Sequence, residues 1–291
     1  MLERETSTVP TSRPAAAIDV KLRRMKFGMT AQVPRYWARG SKFLTHWFNA
    51  MSVVFPEGEK FFIDAVRRFE DDIADQVLRE QVRGFVAQEG HHSFQHRALN
   101  AVAAELGADI APQEAWIKAF LGELRTKLSP AEQLAATCAL EHYTAIWGNE
   151  LLEHPECMQG VDARMQPLWR WHAAEETEHK AVCFDVMRHA VKNPYWRYFL
   201  LAKGQIGATL LFIPILHMIQ LRLMRSDPEP TRLRDVLAGL NWIWGNPGWF
   251  RRALQRHWLA YFKPGFHPWQ HDNSGLIDAW KQSEEALYRS A

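Results

Sequence analysis

The chain has 291 residues, enough for one large domain or two small ones around a real apolar core. Its 35 basic and 33 acidic residues nearly cancel, so charge gives no reason to expect nucleic acid as a partner. Cys138, Cys157 and Cys183 are odd in number and widely spaced, which argues against a disulfide framework and for a reducing, cytoplasmic setting.

Residues 1–30 open without an apolar core segment of the kind a signal peptide needs, and are expected to form a disordered leader. From there the chain carries helical periodicity broken at a few Gly and Pro positions, and nothing reads as a series of strands. The expected class is all-α. Residues 31–192 are read as a four-helix bundle. Its first helix is expected to start at Pro56-Glu57-Gly58, with Glu59, Ile63, Val66 and Glu70 on one face. The second spans about Asp75 to Leu106, with Val82, Phe85, Glu89, His92, His96 and Leu99 along its inner row. A longer connection, Gly107 to Leu128, contains a shorter helical piece. The third helix starts at Ser129-Pro130-Ala131-Glu132, a cap followed by Pro at the first helical position, and aligns Leu134, Cys138, Glu141 and Ala145. The fourth starts near Val161 and aligns Leu168, His172, Glu176, His179, Cys183 and Val186 in one continuous row.

Residues 193–291 form a helical extension rich in Trp, with Trp196, Trp242, Trp244, Trp249, Trp258, Trp269 and Trp280 of the thirteen. Its apolar run Ile206–Ile219 is interrupted by Pro214 and His217 and is short for a spanning helix. Basic residues flank it, so the extension is expected either to pack on the bundle, covering an acyl-sized tunnel, or to make peripheral contact with a membrane.

Two Glu-x-x-His pairs, Glu89/His92 and Glu176/His179, place a carboxylate and an imidazole one turn apart on a helical face, where both reach one ion. As a count, two such pairs are unremarkable. Their position carries the argument: each lies on an inner row otherwise occupied by Leu and Val, and each follows a helix with a Glu on its own inner row, Glu59 and Glu141. Four carboxylates converging in a core are costly unless neutralised; two divalent cations would cancel their charge, and two neutral imidazoles would complete the shell. Glu59, Glu89, His92, Glu141, Glu176 and His179 are thus the expected metal-ligating and catalytic residues. His96 and His172 fall together at one end of this site. They could hold a third metal, relay protons or bind a substrate carboxylate, or equally be satisfied polar core residues. Glu175 is a rival to Glu176, Tyr143 and Trp147 read as core, and Asp64 and Asp185 are candidates to orient the imidazoles.

This pattern resembles the ferritin-like di-iron carboxylate superfamily, which uses one Glu from each of two helices and Glu-x-x-His from two more. Phe-Pro-Glu-Gly-Glu at 55–59, Gln-Glu-Gly-His-His at 88–92 and His-Ala-Ala-Glu-Glu-Thr-Glu-His-Lys at 172–180 resemble, more narrowly, a bacterial family described as predicted metal-dependent hydrolases. The resemblance implies a ferritin-like bundle holding two metal ions. A carboxylate-rich ligand set with few His favours two iron ions, or manganese, over zinc. The function expected on these grounds is oxidation or oxygenation of a small hydrophobic or acyl substrate by O2. A hydrolase using a bridging metal-activated water is the alternative, and a non-enzymatic metal-binding protein stands third. A homodimer is left open.

Overall fold

The computed structural model describes residues 19–289, and the regular elements among them are helices. In order, α1 is Lys42–Arg67, α2 Gln76–Glu105, α3 Ala111–Lys127, α4 Pro130–Glu153, α5 Gln166–His179, α6 Val182–Ala190, α7 Pro194–Ser226, α8 Leu233–Trp244, α9 Trp249–His257 and α10 Ser274–Trp280. Helices α1 and α2 pack as one hairpin and α4 and α5 as another. Helix α3 lies in the connection between them, and α6 continues the line of α5 against α2 and α4.

Local signals account for several boundaries. Asp75 Oδ1 accepts from the backbone N–H of Val77 and Leu78, starting α2. Ser129 and Glu132 form a reciprocal capping box at the start of α4. Two boundaries differ from expectation. Helix α1 starts at Lys42, capped by Ser41, and runs straight through Pro56. Proline has no N–H for the carbonyl four residues back, so Ser52 O loses its helical donor. Asn100 Nδ2, reaching across from α2, donates to that carbonyl at 3.3 Å instead. The fourth bundle helix starts at Gln166 and breaks at Lys180–Ala181. There the Lys180 ammonium is drawn away to His271 O and Asn273 Oδ1 and lies over the Trp269 ring.

Of the expected leader, residues 1–18 lie outside the described residues. Residues 19–30 are not a leader. Val20, Arg23 and Met25 are buried, and the chain crosses α2 so closely at Gly84 that an added Cβ would sit 1.9 Å from Val20 O. Lys26 N–H donates to Tyr288 O, joining this segment to the other end of the described chain.

The residues after 193 share the core of the bundle. Phe212, Leu216, Trp242, Trp249 and Trp280 are buried in one cluster with Trp37, Phe48 and Trp171. Helix α7 lies along α1 and α4, and its C-cap Asp227 accepts from His46 and Tyr36 and pairs with Arg35 near the start of α1. By length and composition α7 is the helix among the described residues long enough and apolar enough to cross a membrane, and a face with Ile206, Leu210 and Leu211 is exposed.

The substitute donor at the Pro56 site has a measurable consequence. Asn100→Ala strands buried Ser52 O and should cost about 2 kcal/mol in urea unfolding. Adding Pro56→Ala should recover part of that loss, because the new residue at 56 brings its own N–H. A double variant no more stable than the single one would contradict this account.

Candidate metal centre

Helix α1 brings Glu59 to the interior, α2 brings Glu89, His92 and His96, α4 brings Glu141, and α5 brings His172, Glu176 and His179. All are buried. Their donor atoms fall into two adjoining groups. Glu89, Glu141, Glu176 and His179 form one, and Glu59, His92 and His172 the other, each with its donor atoms within 4.8 Å of one another. The ion pairs of these four carboxylates are with imidazoles.

The hydrogen bonds around the imidazoles define which nitrogen faces inward. Gln88 Nε2 donates to Glu178 Oε2 and to Lys21 O, so its Oε1 is the acceptor for His179 Nδ1–H at 3.0 Å. That leaves the His179 Nε2 lone pair aimed at Glu89, Glu141 and Glu176, at 3.1, 3.3 and 3.5 Å. His92 Nε2–H donates to Glu175 Oε2 at 3.0 Å, leaving its Nδ1 lone pair toward Glu176 and Glu89 at 3.6 and 3.8 Å. For His172 the bonds run outward as a chain. His172 Nδ1–H donates to His96 Nε2 at 2.7 Å, His96 Nδ1–H to Ser52 Oγ at 3.0 Å, and Ser52 Oγ–H to Asn100 Oδ1 at 2.7 Å. The His172 Nε2 lone pair then faces Glu176 Oε1 at 2.8 Å and Glu59 Oε1 at 3.9 Å. Lone pairs opposed at such distances repel unless a proton or a cation lies between them.

The orphaned atoms agree. Glu59 Oε1, both oxygens of Glu89, both of Glu141, His92 Nδ1 and His179 Nε2 are buried without any hydrogen-bond partner. Acceptors of this kind, oxygen and imidazole nitrogen converging in a dry interior, are the donor set that a divalent metal ion satisfies.

An outer ring holds these groups in place. Arg23 pairs with Glu175 at 3.2 Å and with Glu178 at 2.6 Å, and Lys281 pairs with Glu178 at 2.7 Å. Ser93 Oγ donates to Glu59 Oε2, and Thr144 Oγ1 to Glu176 Oε2. Phe85 and Trp171 wall His179 and His92, and the His92 and His172 rings stack at 4.1 Å.

The structure brings together all six residues expected as ligands, and it places His172 beside Glu59 and His92 in the second group. His96 meets His172 directly, as their common end of the site implied. Glu175 serves His92 and Arg23, whereas Glu176 faces both groups of donors. Asp64 and Asp185 do not orient the imidazoles: Asp64 pairs with Lys60 and Arg125, and Asp185 lies by His267. Gln88 and Glu175 take that role instead. Gln88 stands in the motif at 88–92 with no role read for it, and nothing in the spacing of Ser52, Thr144 and Asn100 marks them. Arg23 lies 152 residues from Glu175 and left no local signal.

The site defines a class, a helical protein built around a candidate carboxylate–imidazole metal centre. The chain belongs to the family described as predicted metal-dependent hydrolase, whose family model matches residues 21–272. No curated protein and no solved structure matches it. The family description corrects the expectation of an O2-activating di-iron oxidase or oxygenase: it names hydrolysis and metal dependence, and it does not name iron. Geometry supplies a physical reason for the miss. Carboxylate richness favours redox chemistry when four Glu and two His form one shared set. Here a third imidazole joins, and one of the two donor groups is two His and one Glu.

The charges predict a pH dependence for metal-free protein. Burial, reinforced by Glu176, pushes Glu141 up to about 8, and burial with Glu89 drives Glu59 well above the usual carboxylate range. Burial alone would lower His92 and His179. Glu175 and Glu89 around the first, and Glu141 and Glu176 around the second, hold them well above the usual imidazole range. All four groups bind protons more tightly folded than unfolded, so their contribution is complete below their ordinary values and lost as pH rises toward the folded ones. Glu89 and Glu176, which are lowered, lose theirs only in more acid solution. The Tm of chelator-treated protein should therefore fall between about pH 5 and 8.5, and a bound divalent ion should flatten the decline. A Tm that rises over this range would contradict the assignment.

Proposed function

We propose that the protein hydrolyses an apolar substrate with a water activated at a dinuclear metal site. Glu89, Glu141, Glu176 and His179 would hold one ion, and Glu59, His92 and His172 the other. The observation that carries this reading is the set of three imidazoles whose outer N–H groups are all engaged, leaving inner lone pairs directed at carboxylates. When bound, the ions would supply Lewis acidity and bring the pKa of a water toward neutrality. Two His and one Glu are the donor set of catalytic zinc hydrolase sites, and Glu59, His92 and His172 would suit an ion of that chemistry.

The protein's own residues do the rest. Thr144 and Ser93 fix the orientation of Glu176 and Glu59. His96, kept neutral by burial and by neighbouring His172, accepts the His172 Nδ1 proton and holds that ring in register. An aromatic cavity, about 660 Å³ with the open solvent at its mouth included, is walled by Phe55, Trp147, Trp169, Trp242 and Phe250 and reaches His172 and Glu176. It delivers an apolar substrate while limiting bulk water.

Metal analysis by mass spectrometry should find about two divalent ions per chain, fewer in Glu141→Gln and His179→Ala. Chelation should abolish hydrolysis of chromogenic esters, and a divalent ion should restore it. Activity that survives complete chelation, or loaded protein inert toward carboxylic esters, amides and phosphate esters alike, would sink the proposal.

Glu175→Gln separates the inner residues from the outer. It should weaken metal affinity about 10- to 100-fold while the saturated ion count stays unchanged. Loss of a whole ion would make Glu175 a ligand.

A further inference from the structure

A second chamber, of about 1160 Å³ counting its mouth, lies between α1, α3, α4 and α7. Its wall shares Phe55 and Thr144 with the aromatic cavity and includes Glu59, so it borders the candidate metal centre. The character of the two differs. The second chamber has no Trp in its lining and mixes Leu121, Leu124, Leu140, Leu200, Leu211 and Ile215 with several Phe. On α7 its lining runs from Leu200 to Ile215, roughly 22 Å at the helical rise of 1.5 Å per residue. The space is long and greasy.

Glycines keep it open. Gly204, Gly207 and Gly58 all line it from within helices, where glycine is a poor choice for helix stability. Gly204 has a packing reason, since its Cβ would sit 2.6 Å from Ala135 O. Gly207 has none, as nothing lies within 4 Å of an added Cβ, and at Gly58 the nearest atom is Val54 Cγ1 at 4.0 Å. Their missing side chains leave volume for something that the described protein does not provide.

Charge narrows the occupant. Lys203, the basic residue in the wall, is paired with Glu132, and Glu59 is itself acidic. Among the described residues no other cationic side chain lines the wall to receive a carboxylate. Leu211, about half exposed, and its exposed neighbour Leu210 form an apolar lip on the solvent face of α7.

We propose that this chamber takes the long linear acyl chain of an uncharged ester or amide substrate, entering beside Leu211 with its head toward Glu59 and Thr144. The assignment of the head group rests on the hydrolase reading above, whereas binding of the chain does not.

The test is displacement of an environment-sensitive apolar fluorophore from metal-free protein by a long-chain methyl ketone, a neutral mimic of the ester that cannot be hydrolysed. Saturable displacement is expected from wild type, with affinity falling about tenfold or more in Gly207→Phe. Palmitate should bind about tenfold more weakly than the ketone. If Gly207→Phe does not fold, as judged by circular dichroism, Gly207→Leu serves as the smaller plug. No saturable ketone binding, or unchanged binding in the folded plug variant, overturns the chamber. Palmitate binding as tight as the ketone overturns its preference for an uncharged head. Ketone binding in a protein without any hydrolytic activity would defeat the hydrolase reading alone. Short-chain ester hydrolysis without long-chain binding would defeat only the chamber.

Discussion

Much of this structure depends on how three buried imidazoles are held from behind. An imidazole has two nitrogens, and in its neutral form one donates while the other accepts. Gln88, Glu175 and the His96–Ser52–Asn100 chain each take an outer N–H, which turns the remaining lone pairs inward onto four carboxylates. The interior thereby acquires acceptors in excess of donors, an arrangement that a folded protein sustains at a cost unless protons or cations fill it.

That requirement reaches well beyond the centre. Arg23 and Lys281 come from opposite ends of the described chain to balance Glu175 and Glu178, so both ends are folded against the outer ring of the site. Asn100 serves two ends at once: its Oδ1 closes the hydrogen-bond chain from His172, and its Nδ2 replaces the N–H that Pro56 lacks. Proline in α1 and the tautomer of a candidate ligand are thus linked through one amide. The helices after residue 193 add no donor to either ligand group, yet they wall both cavities that reach them.

The contrast between oxygen activation and hydrolysis turns on the distribution of donors rather than their total. Four Glu against two His describes an electron-rich pair of ions. Dividing the same groups in space, and admitting His172, gives one side with three carboxylates and one imidazole and another with one carboxylate and two imidazoles. The second kind of site retains more Lewis acidity, because fewer anions dampen the ion's charge. Membership of a family described as metal-dependent hydrolases is consistent with that chemistry.

Helical periodicity alone was sufficient to place Glu59, Glu89, His92, Glu141, Glu176 and His179 on inward faces, because residues three and four apart share a side of a helix whatever surrounds it. The cap at Ser129 was legible for the same reason, being a bond between neighbours in the chain. Pro56 misled because its local effect, a lost N–H, is repaired by Asn100 from another helix. The break after His179 was hidden because the contacts that draw Lys180 aside come from residues 269–273. The imidazole tautomers, the entry of Arg23 and the empty space at Gly207 likewise depend on which distant segments meet. Sequence determined what each helix turns inward. Only the tertiary structure decided which atoms face each other there, since a hydrogen bond or an ion pair is set by distances that spacing along one helix does not contain.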